Sequence, residues 1–292
     1  MILRSKSNIK MFSFYNKFLG ITASLIVFSF TANAQYFYKD IWTNQQQAKE
    51  FSILKNENIR SVAIKSFEDD GEPSEDFFCE RKIDKNFSKS ETVTRSIITQ
   101  QSLLVTYYND RGWITKTVDS TQTSLARVEY SYDNKGHIIL VTSLVKANDE
   151  NGSITETRQY IYNAAGKPEK MIRKKNNRDV STVNFTVDEK GNVIDEEEIS
   201  RGVKGRKYLY YYDDKNRITD VVHYNERAKR LLPDYMYEYN PQGQIKQMIS
   251  TDDNISNYFT WQYTYNEQRL RESEKCYSKE KRLLGSIKYE YR

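Results

Sequence analysis

Tyr130-Ser131-Tyr132-Asp133-Asn134-Lys135-Gly136-His137-Ile138 is the stretch that decides the fold, because it recurs. It returns as Tyr160-Ile161-Tyr162-Asn163-Ala164-Ala165-Gly166 and as Phe185-Thr186-Val187-Asp188-Glu189-Lys190-Gly191-Asn192-Val193. A further copy is Tyr237-Glu238-Tyr239-Asn240-Pro241-Gln242-Gly243-Gln244-Ile245. Tyr210-Tyr211-Tyr212-Asp213 carries Asn216 in the glycine slot, and Tyr263-Thr264-Tyr265-Asn266 carries Arg269 there. Upstream, Tyr108-Asn109-Asp110-Arg111-Gly112-Trp113-Ile114 fits, and Ile83-Asp84 is a worn copy. A last copy is Tyr289-Glu290-Tyr291-Arg292. Successive second-tyrosine positions lie 24 to 30 residues apart, a period of about 26, and such regularity marks a repeat architecture.

Each part of the motif has a physical reason. Asp or Asn at the first position and Gly at the fourth is the preference of a type I turn, whose side-chain oxygen satisfies local amides. The glycine supplies the left-handed backbone that completes a bulged hairpin. The expected turn residues are therefore Asp133 with Gly136, Asn163 with Gly166, Asp188 with Gly191, Asp213 with Asn216, and Asn240 with Gly243. Such a turn pairs Tyr132 with Ile138, Tyr212 with Ile218 and Tyr239 with Ile245, good cross-strand partners.

Alternation puts Phe259, Trp261, Tyr263 and Tyr265 on one face and Thr260, Gln262 and Thr264 on the other. Continued past the turns, the same count places Lys116, Lys170 and Asp195 on the aromatic face. Asn151-Gly152, Asn176-Asn177, Gly202 to Gly205 and Asp252-Asp253-Asn254 signal turns at the opposite strand ends. Two turns per period mean two strands per period. The predicted fold is all-β, an antiparallel meander of hairpins forming one large, twisted or curled, open sheet.

Ahead of the array, Thr43 to Lys55 reads as a short helix, with Thr43 and Gln46 at capping-box spacing. A strand from Ile59 to Phe67 and an acidic loop from Glu68 to Asp76 follow. Residues 35–76 are expected to cap the array, which occupies residues 77–292. Cys79 and Cys276 both point to the aromatic face by parity. In an open sheet they lie some 65 Å apart at about 4.8 Å per strand, so no disulfide is expected between them.

Residues 1–34 read as a secretory signal: a basic segment with Arg4, Lys6, Lys10 and Lys17, an apolar run from Leu19 to Phe30, and Ala32-Asn33-Ala34 as the cleavage site. The run is too short for a membrane-spanning helix, which needs about 20 residues. The chain has 45 Lys and Arg against 40 Asp and Glu, and four of the basic residues belong to this leader. The mature chain is nearly neutral, which removes the electrostatic case for a nucleic-acid partner.

Tyr-x-Tyr-Asp-x-x-Gly-x-Ile at this period resembles the YD repeat of bacterial Rhs proteins and the tyrosine-rich shell of teneurins, over about residues 77 to 292. The resemblance implies hairpins joined edge to edge in a spiralling sheet, and cell-surface, adhesive or carbohydrate-binding roles. The few repeats and the lack of a core-processing segment or C-terminal cargo set this chain apart from toxin-delivery shells. It looks most like small exported YD-repeat proteins of Bacteroidetes type.

No catalytic, cofactor-binding or metal-binding residue stands out. His137 and His223 sit at variable positions with no indicated partner for general-base work. The turns lack the carboxylate ladder of a calcium loop, and neither a phosphate loop nor a nucleophile elbow occurs. Glu196-Glu197-Glu198 and the basic set Lys170, Arg173, Lys174 and Lys175 read as solvated strand faces. The expected role is a non-catalytic, periplasmic, surface-associated or secreted module presenting a sheet face to an envelope protein or glycan, with no stable membrane insertion. The alternatives are an outer-membrane barrel and a glycan-active enzyme with unrecognised paired carboxylates. Export has a direct check: N-terminal sequencing of envelope-fraction protein should begin at Gln35, and intact Met1 or Met11 in the cytosol would refute it.

Overall fold

A computed structural model describes residues 36–97, 100–148, 152–225, 228–251 and 257–292. The leader, Asn151 and Asp252-Asp253-Asn254 lie outside the described residues. Helix α1 spans Tyr38–Asn56. Strands β1 Ser61–Phe67, β2 Phe78–Ile83, β3 Lys89–Ser96, β4 Gln100–Tyr108, β5 Ile114–Ser120 and β6 Ser124–Tyr132 follow. Then come β7 Ile138–Ala147, β8 Ser153–Tyr162, β9 Pro168–Lys175, β10 Arg178–Val187, β11 Val193–Ser200 and β12 Val203–Tyr212. The last six are β13 Ile218–Asn225, β14 Arg230–Tyr239, β15 Ile245–Thr251, β16 Tyr258–Tyr265, β17 Arg271–Ser278 and β18 Leu283–Tyr291. Every strand pairs antiparallel with its neighbours in sequence.

The sheet is not open. β18 pairs with β1 over Val62↔Tyr291 to Phe67↔Ser286, and β1 pairs in turn with β2. Arg60 and Ser61 donate their N–H groups to the Arg292 carbonyl, tightening the seam. The meander therefore closes into an 18-stranded barrel. The open sheet expected from sequence is wrong because Ser61–Phe67, taken for part of a cap, supplies the strand on which the array closes. Closure leaves no unpaired edge. It also revises the cysteine argument. Cys79 and Cys276 are both buried, inward and unbridged, as expected, but only β18 and β1 separate their strands.

The motif folds as its chemistry requires. In the first copy Asp133 Oδ1 accepts the N–H groups of Lys135 and His137, and the Gly136 N–H reaches the Asp133 carbonyl. Gly136, Gly166, Gly191 and Gly243 all adopt positive φ, and Asn216 and Arg269 adopt it in the slots lacking glycine. Tyr132↔Ile138, Tyr212↔Ile218 and Tyr239↔Ile245 pair as expected.

One detail differs. Tyr132 pairs with Ile138 but Ser131 pairs with Leu140, so one residue is bulged out and the alternation shifts by one. The same slip recurs in most copies. Lys116, Lys170 and Asp195 therefore face outward, opposite Tyr107, Ile161 and Thr186. The inward places go to Thr117, Val141, Met171, Glu196, Val221, Met248 and Glu274, five residues after each glycine slot.

Neighbouring repeats are stapled by the tyrosines. The hydroxyls of Tyr132, Tyr162, Tyr212, Tyr239, Tyr265 and Tyr291 each donate to a carbonyl of the preceding hairpin at 2.6 to 2.8 Å. The residue after the glycine leans onto the next tyrosine: Trp113 lies 5.2 Å from Tyr132, His137 stacks on Tyr162 at 4.7 Å, and the Arg217 guanidinium lies over Tyr239 at 4.3 Å. Trp113 also crosses the next turn so closely that a Cβ at Gly136 would meet it at 2.3 Å. Gly202 has positive φ as well, but nothing lies within 4 Å of its Cβ direction. Gly136→Ala should then cost more than about 2 kcal/mol and Gly202→Ala about 1 kcal/mol, since only the first adds overpacking to backbone strain. Urea denaturation measures both, and equal costs would refute the stacking.

Candidate functional site

The barrel interior is crossed by α1. At about 4.8 Å per strand and a tilt near 40°, 18 strands enclose a circular section roughly 35 Å across. A 19-residue helix is about 28 Å long, enough to bridge it once side chains fill the ends. Its N-terminal end meets β8, β11 and β12, where Tyr36 packs against Tyr208 and Tyr210 and Tyr38 against Tyr210. Its C-terminal end meets the opposite wall, where Phe51 stacks on Tyr108 at 3.6 Å and Glu50 pairs with Arg81 of β2. β11 and β2 lie nine strands apart on the ring of 18, on opposite sides. Between them Trp42 meets Tyr237, and Asn44 donates to the Tyr132 hydroxyl. Because Phe51 also approaches Gly112, the helix lies toward the barrel end that carries the repeat turns.

Two buried clusters fasten the N-terminal end. The helix begins at Tyr38, earlier than the Thr43 start expected from the capping-box spacing, and Phe37 at its N-cap has no side-chain cap. The barrel supplies the cap. Glu196 accepts the Phe37 N–H at 2.6 Å and the Tyr38 N–H at 2.7 Å, meeting the free amides and positive end of the helix. Glu196 is 2% exposed; burial pushes its carboxyl up to about 7, against the pull of the two N–H groups. Beside it, Arg158 contacts both Asp40 oxygens at 2.8 and 3.0 Å, and the Tyr160 hydroxyl lies 2.7 Å from Asp40. Arg173 extends this network between Glu156 and Glu198.

A second inward pair is His223 with Asp234, Nδ1 to Oδ2 at 2.7 Å, beside the Tyr208 ring. The register shifts between Val221 and Val222, beside this pair, the kind of irregularity that re-aims a side chain. The expectation that neither histidine has a positioned partner is therefore corrected: His223 has Asp234, and His137 has Asp133 of its own turn. The third cluster joins Glu274 to Arg271 at 2.6 Å and to the Tyr289 hydroxyl at 2.5 Å.

The glutamate run is likewise not a solvated face. Glu196 is buried, Glu198 points inward to Arg173 and Ser181, and only Glu197 faces out, toward Lys204. Of the basic set, Arg173 turns inward while Lys170 and Lys174 face out. The turn residues Asp133, Asn163, Asp188, Asp213 and Asn240 hold their own turns; the Asp188 carboxyl is kept below its ordinary value chiefly by the Asn192 N–H. Glu196 and Glu274 had a signal in sequence, since both occupy the slot that is apolar in four other copies. It is readable only once the bulged residue is counted. Among the described residues no group of three or more His, Cys, Asp and Glu is arranged to hold a metal ion.

No family model matches the chain, and no curated protein does. Similar solved structures include a Photorhabdus luminescens Tc holotoxin pore, at 11% identity and TM-score 0.34 over 74% of this chain and 12% of that one. A porin-like protein from Bacteroides uniformis matches at 9% identity and TM-score 0.37 over 80% of this chain and 98% of its own. Another, from Bacteroides vulgatus, matches at 8% and 0.30 over the same shares. At these values the likenesses carry no argument about what this chain does, and the YD-repeat resemblance rests on the motif itself.

The fastening of α1 has a measurable energy. Arg158→Met leaves the Asp40 carboxylate buried without its cation and should cost about 3 to 5 kcal/mol, whereas Arg158→Met with Asp40→Leu should recover most of it. Chemical denaturation followed by tryptophan fluorescence distinguishes the two; an equal loss in both would show that the ion pair does not hold the helix.

Proposed function

We propose that this chain is an exported, non-catalytic β-barrel of the cell envelope that binds a protein or glycan through its water-facing outer wall. The observation that carries the reading is the direction of the faces. The first and second tyrosines of the repeat and the helix fill the interior, while the wall facing out carries charge round the ring. Ion pairs stud that wall, among them Lys65–Glu290, Lys89–Glu91, Arg127–Glu129 and Lys207–Asp195. Between them stand Thr186, Asn184, Gln262 and Thr264, all exposed. The wall also has an aromatic stretch on β12 to β14, where Tyr211 is 49% exposed and Tyr224 and Leu231 each 46%. Tyrosine there suits contact with a protein or sugar ring.

A second reading, an outer-membrane barrel, is favoured by the closed ring with an even number of antiparallel strands. Such barrels turn an apolar band outward and keep polar residues in the lumen. The faces here are arranged the other way, so the water-facing barrel is preferred. Alkaline carbonate washing of envelope membranes separates the two. The native protein should be released without detergent, and the paired change Tyr211→Ser with Leu231→Ser should weaken its capture of envelope material while leaving its melting temperature within a few degrees. Retention until detergent is added would establish the membrane barrel instead.

A further inference from the structure

The barrel end away from the repeat turns is divided by charge. Lys174, Lys175 and Arg178 flank the β9–β10 turn, Arg201 and Lys204 flank the β11–β12 turn, and Arg230 opens β14. Asp179 pairs with Lys174 and Glu197 with Lys204. Lys175, Arg178, Arg201 and Arg230 are exposed and stand in no ion pair among the described residues. Across the ring, the loop joining β1 to β2 carries Glu68, Asp69, Asp70, Glu72, Glu75 and Asp76, none with a cation among the described residues. That loop has a fixed shape: the Glu68 N–H donates to the Glu72 carbonyl, the Ser74 N–H to the Ser66 carbonyl, and Phe67 bridges to Pro73. It lies on the opposite side of the ring of 18 from the turns after β9 and β11. Of the other turns at this end, Thr121 to Thr123 is uncharged, and the β17–β18 turn mixes Lys279, Lys281 and Arg282 with Glu280. The whole chain is close to balanced, with 45 Lys and Arg against 40 Asp and Glu, so the separation of sign is local.

We propose that this end of the barrel is the interface between two copies of the chain, stacked end to end so that the acidic loop of each meets the basic turns of the other. A two-fold axis in the plane of this end, at right angles to the line joining the two poles, exchanges them. Both contacts then form at once and the assembly closes as a dimer. An anionic lipid surface laid across the same end would be drawn to one pole and repelled by the other; a second copy matches both. Exposed apolar side chains stand at each pole. Val203, 69% exposed, is at the β11–β12 turn, and Phe78 and Ile97, at 42% and 60%, are beside the acidic loop. Exposed ion pairs contribute little singly, so burial of these side chains supplies the apolar part of the contact while the charges fix its register. Stacking also covers the barrel end farther from α1. The proposal does not rest on the binding role of the outer wall.

Analytical ultracentrifugation of the chain isolated from the envelope fraction tests it. In about 50 mM salt the wild type should sediment at twice the mass of one chain, and about 500 mM salt should weaken the association roughly tenfold or more by screening. Arg178→Glu with Arg201→Glu should be monomeric, and so should Asp69→Lys with Glu72→Lys. Mixed in equal amounts the two double variants should dimerise again, because each then meets opposite charge at both contacts. A monomeric wild type at low salt would overturn the interface, as would a dimer indifferent to salt, double variants that stay dimeric, or a mixture of folded variants that stays monomeric. A monomeric wild type that binds phosphatidylglycerol vesicles would assign the basic turns to a lipid surface instead. Should either variant fail to fold by circular dichroism, the salt dependence of the wild type decides the matter alone.

Discussion

The pairing of β18 with β1 is the constraint on which the rest of this molecule depends. A meander of 18 strands has two edges, and each would present unpaired N–H and C=O groups to other chains. Six residue pairs from Val62 to Phe67 remove both edges at once. They also fix the circumference, and with it the width of the interior. A section some 35 Å across is far too wide for side chains from the walls alone to fill. The helix that precedes β1 spans that width from β11 to β2, so closure and filling are two parts of one solution.

Around this ring the repeat works between neighbours as well as within each hairpin. The tyrosine before the turn donates to the preceding hairpin, and the residue after the glycine covers the following tyrosine. This explains why the spacing of tyrosine, Asx, glycine and isoleucine is kept while Trp113, His137, Lys167, Asn192 and Arg217 vary. The varying position needs only a side chain long enough to reach its neighbour. Glycine is demanded where that side chain passes over the next turn, as Trp113 does at Gly136.

The interior mixes aromatic packing with ionisable groups to a degree that would be costly without partners. Arg158 is buried and Arg271 half-buried, each with a carboxylate at ion-pair distance, and their value lies in position more than in net stability. Arg158 fixes where the helix enters, and Arg271 ties β17 through Glu274 to β18 at the seam. Glu196 is the exception, fastening the helix through its backbone.

How much of this could be read without coordinates follows from the range of each interaction. Turn chemistry is local, so the repeat, the turns at Asp133 to Gly136 and their copies, the Tyr–Ile pairs and the all-β meander were legible in the sequence. Strand parity was legible up to the first bulge and wrong beyond it, because one unpaired residue sends every later side chain to the other face. That slip hid Glu196 among apparent surface charges and put Lys170 on the aromatic side. Closure, the helix crossing the lumen, and the joining of Asp40 to Arg158 and His223 to Asp234 were decided by tertiary structure alone. They depend on total curvature and on register summed over many strands, and neither is encoded in any single repeat.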